Sequence, residues 1–174
     1  NNNKYFVNDD NQNENPYSTN KKDGRRTVVY NNGEKFTGDF VNDKRNGKGE
    51  IKYKNGNKYV GDFKDDKEEG KGIYYFSNGD RYEGDFINGK FAGKGVYFYS
   101  NGDRYEGEFK NDLKEGNGKF FFKNGDIYIG DWKNNEPNGK GIKYYYNGDR
   151  YEGDFKGHKK DGQGVYYYKN GDRV

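Results

Sequence analysis

A 23-residue interval governs this chain and repeats without insertion or deletion over most of its 174 residues. Asn-Gly pairs recur with their glycine at Gly33, Gly56, Gly79, Gly102, Gly125, Gly148 and Gly171. An aromatic-x-Gly-acid-aromatic motif follows, as in Tyr59-x-Gly61-Asp62-Phe63 and Tyr128-x-Gly130-Asp131-Trp132. A Gly-x-Gly comes next, for example Gly70/Gly72 and Gly139/Gly141. Counting from the first aromatic, glycine stands at positions 3, 12, 14 and 21, and these hold 26 of the 28 glycines. A flexible linker keeps no such register, so these glycines answer a backbone requirement. Gly24 begins a partial repeat with Arg26 where its second glycine belongs.

The spacing predicts strands. Positions 1–6 and 12–18 alternate, the second set rich in Tyr, Phe, Ile and Val, and glycine at these intervals is costly in a helix. The x-Asn-Gly at positions 19–21 suits a three-residue hairpin ending in a left-handed glycine. Positions 7–11 are expected to form a longer polar loop, such as Asp65–Glu69. If position 18 faces position 22, then 16 faces the next repeat's 1, 14 faces 3 and 12 faces 5, and the same pairs oppose within a repeat. One face then carries a glycine row flanked by aromatics, a trough built by Tyr59, Gly61, Phe63, Tyr82, Gly84, Phe86, Tyr105, Gly107, Phe109, Tyr128, Gly130 and Trp132. The other face pairs Asp62 with Lys71, Asp85 with Lys94 and Asp131 with Lys140. It also carries an apolar stripe of Ile73, Tyr75, Val96, Phe98, Phe121, Ile142, Tyr144, Val165 and Tyr167. The expected fold is all-β: an elongated single-layer antiparallel meander of about a dozen strands, each repeat touching only its neighbours. Residues 1–22, with eight Asn and no register, read as a polar N-terminal tail or linker ahead of an array over 23–174, although Tyr5-Phe6-Val7 has the composition to dock on the first strand.

Tyr-x-Gly-Asp/Glu-Phe/Trp, then Gly-Lys-Gly-x-Tyr-x-Tyr, then Asn-Gly-Asp-Arg at this period resembles the MORN repeat family, over six full repeats from about Gly24 to Val174. Position 5, usually Trp in that family, is Phe five times here and Trp only at Trp132. The resemblance implies a scaffold of cytoskeletal or membrane-skeleton assemblies, apicomplexan cell-division structures and flagella among them, with some members forming extended dimers. It also implies attachment to membranes through phosphoinositides, and occurrence beside lipid kinase and lysine methyltransferase domains.

Composition narrows the chemistry. Only 28% of residues are hydrophobic and 35% are charged, but 19% are aromatic, which argues for packing rather than disorder. No apolar run approaches the ~20 residues of a membrane-spanning helix, and no secretory leader opens the sequence. There is no Cys, and the absence of any Met, initiator included, is read as the mark of a fragment. The formal charge of +3 does not announce a nucleic-acid partner. Arg81, Arg104, Arg150 and Arg173 stand beside Asp80, Asp103, Asp149 and Asp172, a poor phosphate track. His158 is the only histidine and has no soft ligand to share a metal with. The position-4 carboxylates are copies of one structural position. Gly84–Lys90 nearly spells a phosphate loop, but Phe91 replaces the required Ser/Thr and no helix pattern follows. No catalytic residue, metal site or cofactor is therefore expected.

The sequence thus reads as a non-enzymatic scaffold that binds protein partners or a second copy of itself, located in the cytoplasm on a cytoskeletal or membrane-skeleton structure. The alternative is a peripheral module for anionic lipid, or the targeting arm of a lipid kinase-like enzyme, with Lys44, Arg45, Lys48, Lys90, Lys94, Lys159 and Lys160 as basic loop contacts.

Overall fold

The computed structural model describes the backbone of residues 4–8 and all of residues 23–174; the rest of the expected tail lies outside the described residues. Two compact units divide the chain, Asn1–Gly89 and Lys90–Val174. The first holds β1 (Lys4–Asn8), β2 (Gly24–Tyr30), β3 (Lys35–Val41), β4 (Lys44–Lys52), β5 (Lys58–Lys64), β6 (Lys67–Tyr75) and β7 (Arg81–Ile87). The second holds β8 (Lys90–Phe98), β9 (Arg104–Lys110), β10 (Leu113–Phe121), β11 (Ile127–Lys133), β12 (Glu136–Tyr144), β13 (Arg150–Lys156) and β14 (Lys159–Tyr167). Within each unit the strands form an antiparallel meander in which each pairs with its neighbours in sequence. β1 lies against β2, with Val7 opposite Val28. Among the described residues no helix is long and apolar enough to cross a membrane.

The hairpin between repeats follows the sequence. The Gly56 N–H donates to the Tyr53 carbonyl at 3.1 Å, the Tyr53 N–H donates to Asn57 at 2.9 Å, and Gly56 has φ +90°. The Asn55 side chain accepts from the Asn57 N–H, an Asx turn that explains the asparagine before each glycine.

The hairpin within a repeat differs from expectation. Positions 7–8 alone make the turn. Asp65 and Asp66 have φ of 48° and 70°, Asn111 and Asp112 48° and 68°, Asn134 and Asn135 49° and 71°. Two consecutive left-handed residues make the tight turn whose twist matches that of strands, and Asn and Asp tolerate that conformation best after glycine. The strand resumes at position 9, so the expected loop residues are strand residues. This also changes the register. Gly61 faces Gly72 as expected, but Phe63 faces Glu68 rather than Gly70. The same shift occurs in β3–β4, β9–β10, β11–β12 and β13–β14. Two surplus residues on the return strand are taken up in a bulge at position 12, where Gly70, Gly116 and Gly139 have φ of 102°, 80° and 103°.

Between repeats the register is regular, with Gly70 facing Phe86, Gly72 facing Gly84 and Tyr74 facing Tyr82. One face carries the core. Tyr59, Tyr82, Tyr105, Phe36 and Phe86 are fully or almost fully buried, as are Phe63, Phe109, Trp132 and Phe155. Within each unit they interlock edge to face across successive repeats. Tyr59 meets Phe63 at 5.1 Å and Phe86 at 4.8 Å; Tyr105 meets Phe109 at 5.0 Å and Trp132 at 4.9 Å. A sheet with no second layer thus buries its rings against its own glycine backbone.

Candidate functional site

The position-1 ring lies across the glycine row. A Cβ on Gly141 would stand 2.6 Å from the Tyr128 ring, and one on Gly107 2.6 Å from the Asn117 carbonyl oxygen and the Gly118 Cα. The ring's hydroxyl then donates to the position-4 carbonyl: Tyr59 to Asp62 at 2.6 Å, Tyr82 to Asp85, Tyr105 to Glu108 and Tyr128 to Asp131 at 2.8 Å. Burial raises the Tyr59, Tyr105 and Tyr128 phenols above the ordinary tyrosine value and keeps them protonated donors. Trp132 donates from Nε1 to the Gly118 carbonyl at 3.2 Å. Within each unit the trough residues are therefore packed on one another. Arg26 confirms the geometry by exception. Val7 stands opposite Val28, where a full repeat has its position-1 aromatic, and the buried Arg26 occupies the missing glycine's place, its guanidinium 3.9 Å from the Phe40 ring centroid.

The repeated carboxylates hold the bulge. Asp62 accepts from the Lys71 N–H at 3.0 Å, Asp131 from Lys140 at 3.2 Å and Glu108 from Asn117 at 2.6 Å. Their ion pairs run to the neighbouring repeat instead: Lys48 reaches Asp62, Lys71 reaches Asp85 and Lys140 reaches Asp154. This corrects the in-repeat pairing of Asp62 with Lys71 and of Asp131 with Lys140. The shifted register turns the lysine toward the next strand and leaves only its main-chain N–H near the carboxylate of its own repeat. Turn also binds turn. Asp66 accepts from the Arg45 N–H at 2.8 Å, Asn135 from Lys114 at 2.9 Å, and Asp103 from Lys123 at 2.8 Å. Among the described residues no group of three or more His, Asp or Glu converges to hold a metal ion.

The stripe on the opposite face is half covered. Arg104 lies 4.2 Å above the Phe121 ring and Arg150 3.9 Å above Tyr167, while Lys58 reaches Tyr75. Each arginine head is tied to a carboxylate, Glu106 or Glu152, at 2.9 Å. Ile73, Val96, Phe98 and Ile142 are half-buried; Tyr144 and Val165 remain the open members at 40% and 36% exposure. The residues taken as basic loops are strand residues, because the turn is shorter than expected. Lys44, Arg45 and Lys48 lie on β4, Lys90 and Lys94 on β8, Lys159 and Lys160 on β14. They also part between faces. Arg45 and Lys160 stand over aromatic rings, whereas Lys48 reaches Asp62 on the charged side.

A surface absent from the sequence-based site lists emerges on the aromatic face. The bulge bends each hairpin so that position 10 returns over position 18 of the preceding repeat. There the Tyr53 hydroxyl donates to the Glu68 carboxylate. Positions 16 and 18 form a second aromatic row, half-exposed except at the buried Phe120. In the first unit Tyr53 stacks on Tyr74 at 5.7 Å, and Tyr74 meets Phe76 at 4.8 Å. In the second, Tyr97, Tyr99, Phe120 and Phe122 follow one another at 4.6 to 5.6 Å, and Tyr145, Tyr166 and Tyr168 at 4.8 to 5.7 Å. Lys143, replacing an aromatic at position 16, joins the two sets, 4.9 Å from Phe122 and 5.3 Å from Tyr145. Position 10 carries Arg45, Glu68, Phe91, Lys114, Pro137 and Lys160 in turn, so it is the variable seat in an otherwise constant face. That variability was the available signal; only the bend gives it meaning.

The MORN repeat family model matches residues 36–58, 59–81, 82–104, 105–127, 128–150 and 151–173. The chain belongs to the MORN repeat family. The position-1 aromatics open these repeats, and the MORN hairpin closes on the Asn-Gly turn. No curated protein matches the MORN chain. Among solved structures it is similar to the TCP domain of Drosophila melanogaster SAS-4 (dCPAP), in complex with a proline-rich motif of Ana2 (dSTIL). The TM-score is 0.54 at 17% identity, over 94% of this chain and 95% of that one. It is also similar to the TCP10 domain of Danio rerio CPAP in complex with a STIL peptide. There the TM-score is 0.55 at 16% identity, over 87% of this chain and 68% of that one. At these identities the likeness is one of fold.

Proposed function

We propose that this MORN array is a protein-interaction module whose half-exposed aromatic row receives an extended segment of a partner protein. The observation that carries this is the row itself: its rings at positions 16 and 18, the buried Phe120 apart, remain partly open while the rings beneath them are buried, so they are not needed to fill the core. Aromatic-lined surfaces suit extended, proline-containing segments, whose pre-formed backbone loses little entropy on docking. The SAS-4 and CPAP domains of similar fold are each in complex with a peptide, one of them proline-rich, which supports the reading. The proposed setting is a scaffold in a cytoskeletal or membrane-skeleton assembly. Selection from a displayed library of short peptides tests the reading. Selected peptides are expected to lose binding to a Tyr99→Ser, Phe122→Ser variant that stays folded. Peptides that bind this variant unchanged would overturn the assignment of the row.

Association of two copies is a second reading, favoured by the open Tyr144 and Val165. Light scattering is expected to show a dimer that Tyr144→Glu dissociates, and a monomer at high micromolar concentration would end that reading. Anionic membrane binding is supported by the exposed Lys44, Lys90 and Lys159 and weakened by the pairing of Lys48 with Asp62 and Arg45 with Asp66.

A further inference from the structure

The second unit differs from the first in what occupies its aromatic row. In the first unit the charged seats are satisfied internally: Arg45 Nε lies 3.4 Å from Asp66 and Glu68 receives the Tyr53 hydroxyl. In the second unit the two charged seats, Lys114 and Lys160, are cationic, beside Phe91 and Pro137. Lys114 Nζ stands 5.0 Å from the centroid of Tyr99, 5.6 Å from Trp132, 5.7 Å from Tyr105 and 5.9 Å from Phe120. Lys160 Nζ stands 4.5 Å from Tyr166, 5.2 Å from Tyr151 and 5.7 Å from Tyr145. Among the described residues neither ammonium has a carboxylate within ion-pair distance. Lys143 reaches Asp126 only at 4.0 Å, and His158 adds an imidazole 6.5 Å from Phe122. A cation resting on rings is attracted to them, yet this does not neutralise it. Hence Lys114 and Lys160 bring positive charge without an ion-pair partner to the edge of the half-open rings Tyr99, Tyr145 and Tyr166, while Lys143 has Asp126 and Tyr166 donates to Asp149.

Resting on the peptide reading above, we infer that the second unit selects an acidic segment: an extended, proline-containing peptide whose carboxylates pair with Lys114 and Lys160 while its apolar residues lie on Tyr99, Phe122, Tyr145 and Tyr166. The spacing agrees. Lys114 and Lys160 occupy the same position two repeats apart, four strands or about 19 Å at ~4.8 Å per strand. A polyproline II segment repeats its side-chain direction every three residues, about 9.3 Å, so carboxylates two turns apart meet both lysines. Charge-assisted bonds to both ends would fix the register, and the rings between would supply contact area.

The test uses the whole chain and three fluorescent peptides: four copies of Pro-Pro-Glu, Pro-Pro-Gln or Pro-Pro-Lys. In anisotropy titrations the glutamate peptide is expected to bind at least about tenfold more tightly than the glutamine peptide, and the lysine peptide least of all. The Lys114→Gln, Lys160→Gln variant should lose most of that difference, whereas Lys44→Gln, at an exposed position off the row, should keep it. Equal affinity for the glutamate and glutamine peptides, with both sensitive to Tyr99→Ser, would overturn the acidic preference and leave the aromatic-row reading standing. Binding of none of the three would overturn both. Capture by phosphatidylserine-rich vesicles, lost in the Lys114→Gln, Lys160→Gln variant while no peptide binds, would assign the cations to a membrane and end the peptide proposal.

Discussion

At the residue scale the repeat is a set of single atoms whose place leaves no latitude. Position 3 must be glycine because the next strand's main chain passes where a side chain would begin. A Cβ on Gly107 would meet Asn117 O and Gly118 Cα at 2.6 Å and the Tyr105 hydroxyl at 2.7 Å. Backbone moves less readily than a ring, so Gly107→Ala is expected to cost about 1–3 kcal/mol, read as a lowered denaturation midpoint with unchanged slope. Lys114 gives a second prediction. Burial lowers its pKa from 10.5 to about 8. A lowered lysine value means the unfolded chain holds the proton more tightly, so the fold gains stability as pH rises from about 8 toward 10.5. The melting temperature relative to Lys114→Met should therefore climb over that window and stay flat below about pH 7. His158 is held below the ordinary imidazole value by burial and by Lys114 and Lys143, with Glu136 opposing.

At the element scale each hairpin is a bent unit, and the bulge does the bending. Gly70 supplies the left-handed residue and Asp62 caps the main-chain N–H of Lys71 that the bulge would strand. Asp62→Ala removes this acceptor and the partner of Lys48 together. The expected loss is about 1–2 kcal/mol at low salt. Asp62→Asn, which keeps an acceptor oxygen, should recover part of it. Equal melting of the Ala variant and wild type would show that the bulge is held by the turn alone. The two-residue turn was legible in Asn42-Asp43, Asp65-Asp66 and Asn134-Asn135, all residues that accept left-handed geometry. The expectation of a longer loop came from reading polarity as absence of strand. Here positions 9–11, polar in most repeats, are strand residues, because the strand resumes directly after the two-residue turn.

At the scale of the whole molecule, stability within each unit is built from neighbours, because each strand packs substantially on the strands next to it in sequence. An array of that kind loses stability by increments. Deleting residues 151–174 should leave a sheet with unchanged circular dichroism per residue and a melting temperature lowered by several degrees. Complete loss of sheet would show that the last repeat carries stability for distant ones.

The sequence by itself determined the strands, the hairpin at every Asn-Gly, the register between repeats and the buried Tyr–Gly–Phe rows, because fixed glycines admit one backbone path and alternation admits one inward face. It also determined that the position-4 carboxylates are structural. Only the tertiary structure decided the bulge, since pairing Phe63 with Glu68 rather than Gly70 depends on the left-handed turn and the ring above Gly72 acting together. From the bulge followed the rest: Lys48, Lys71 and Lys140 reach the next repeat's carboxylate, and position 10 folds back over the position-18 ring. Lys114 and Lys160, two of many lysines in the sequence, come to rest over aromatic rings of the preceding repeat, because contact between residues of successive repeats is set by where the chain bends.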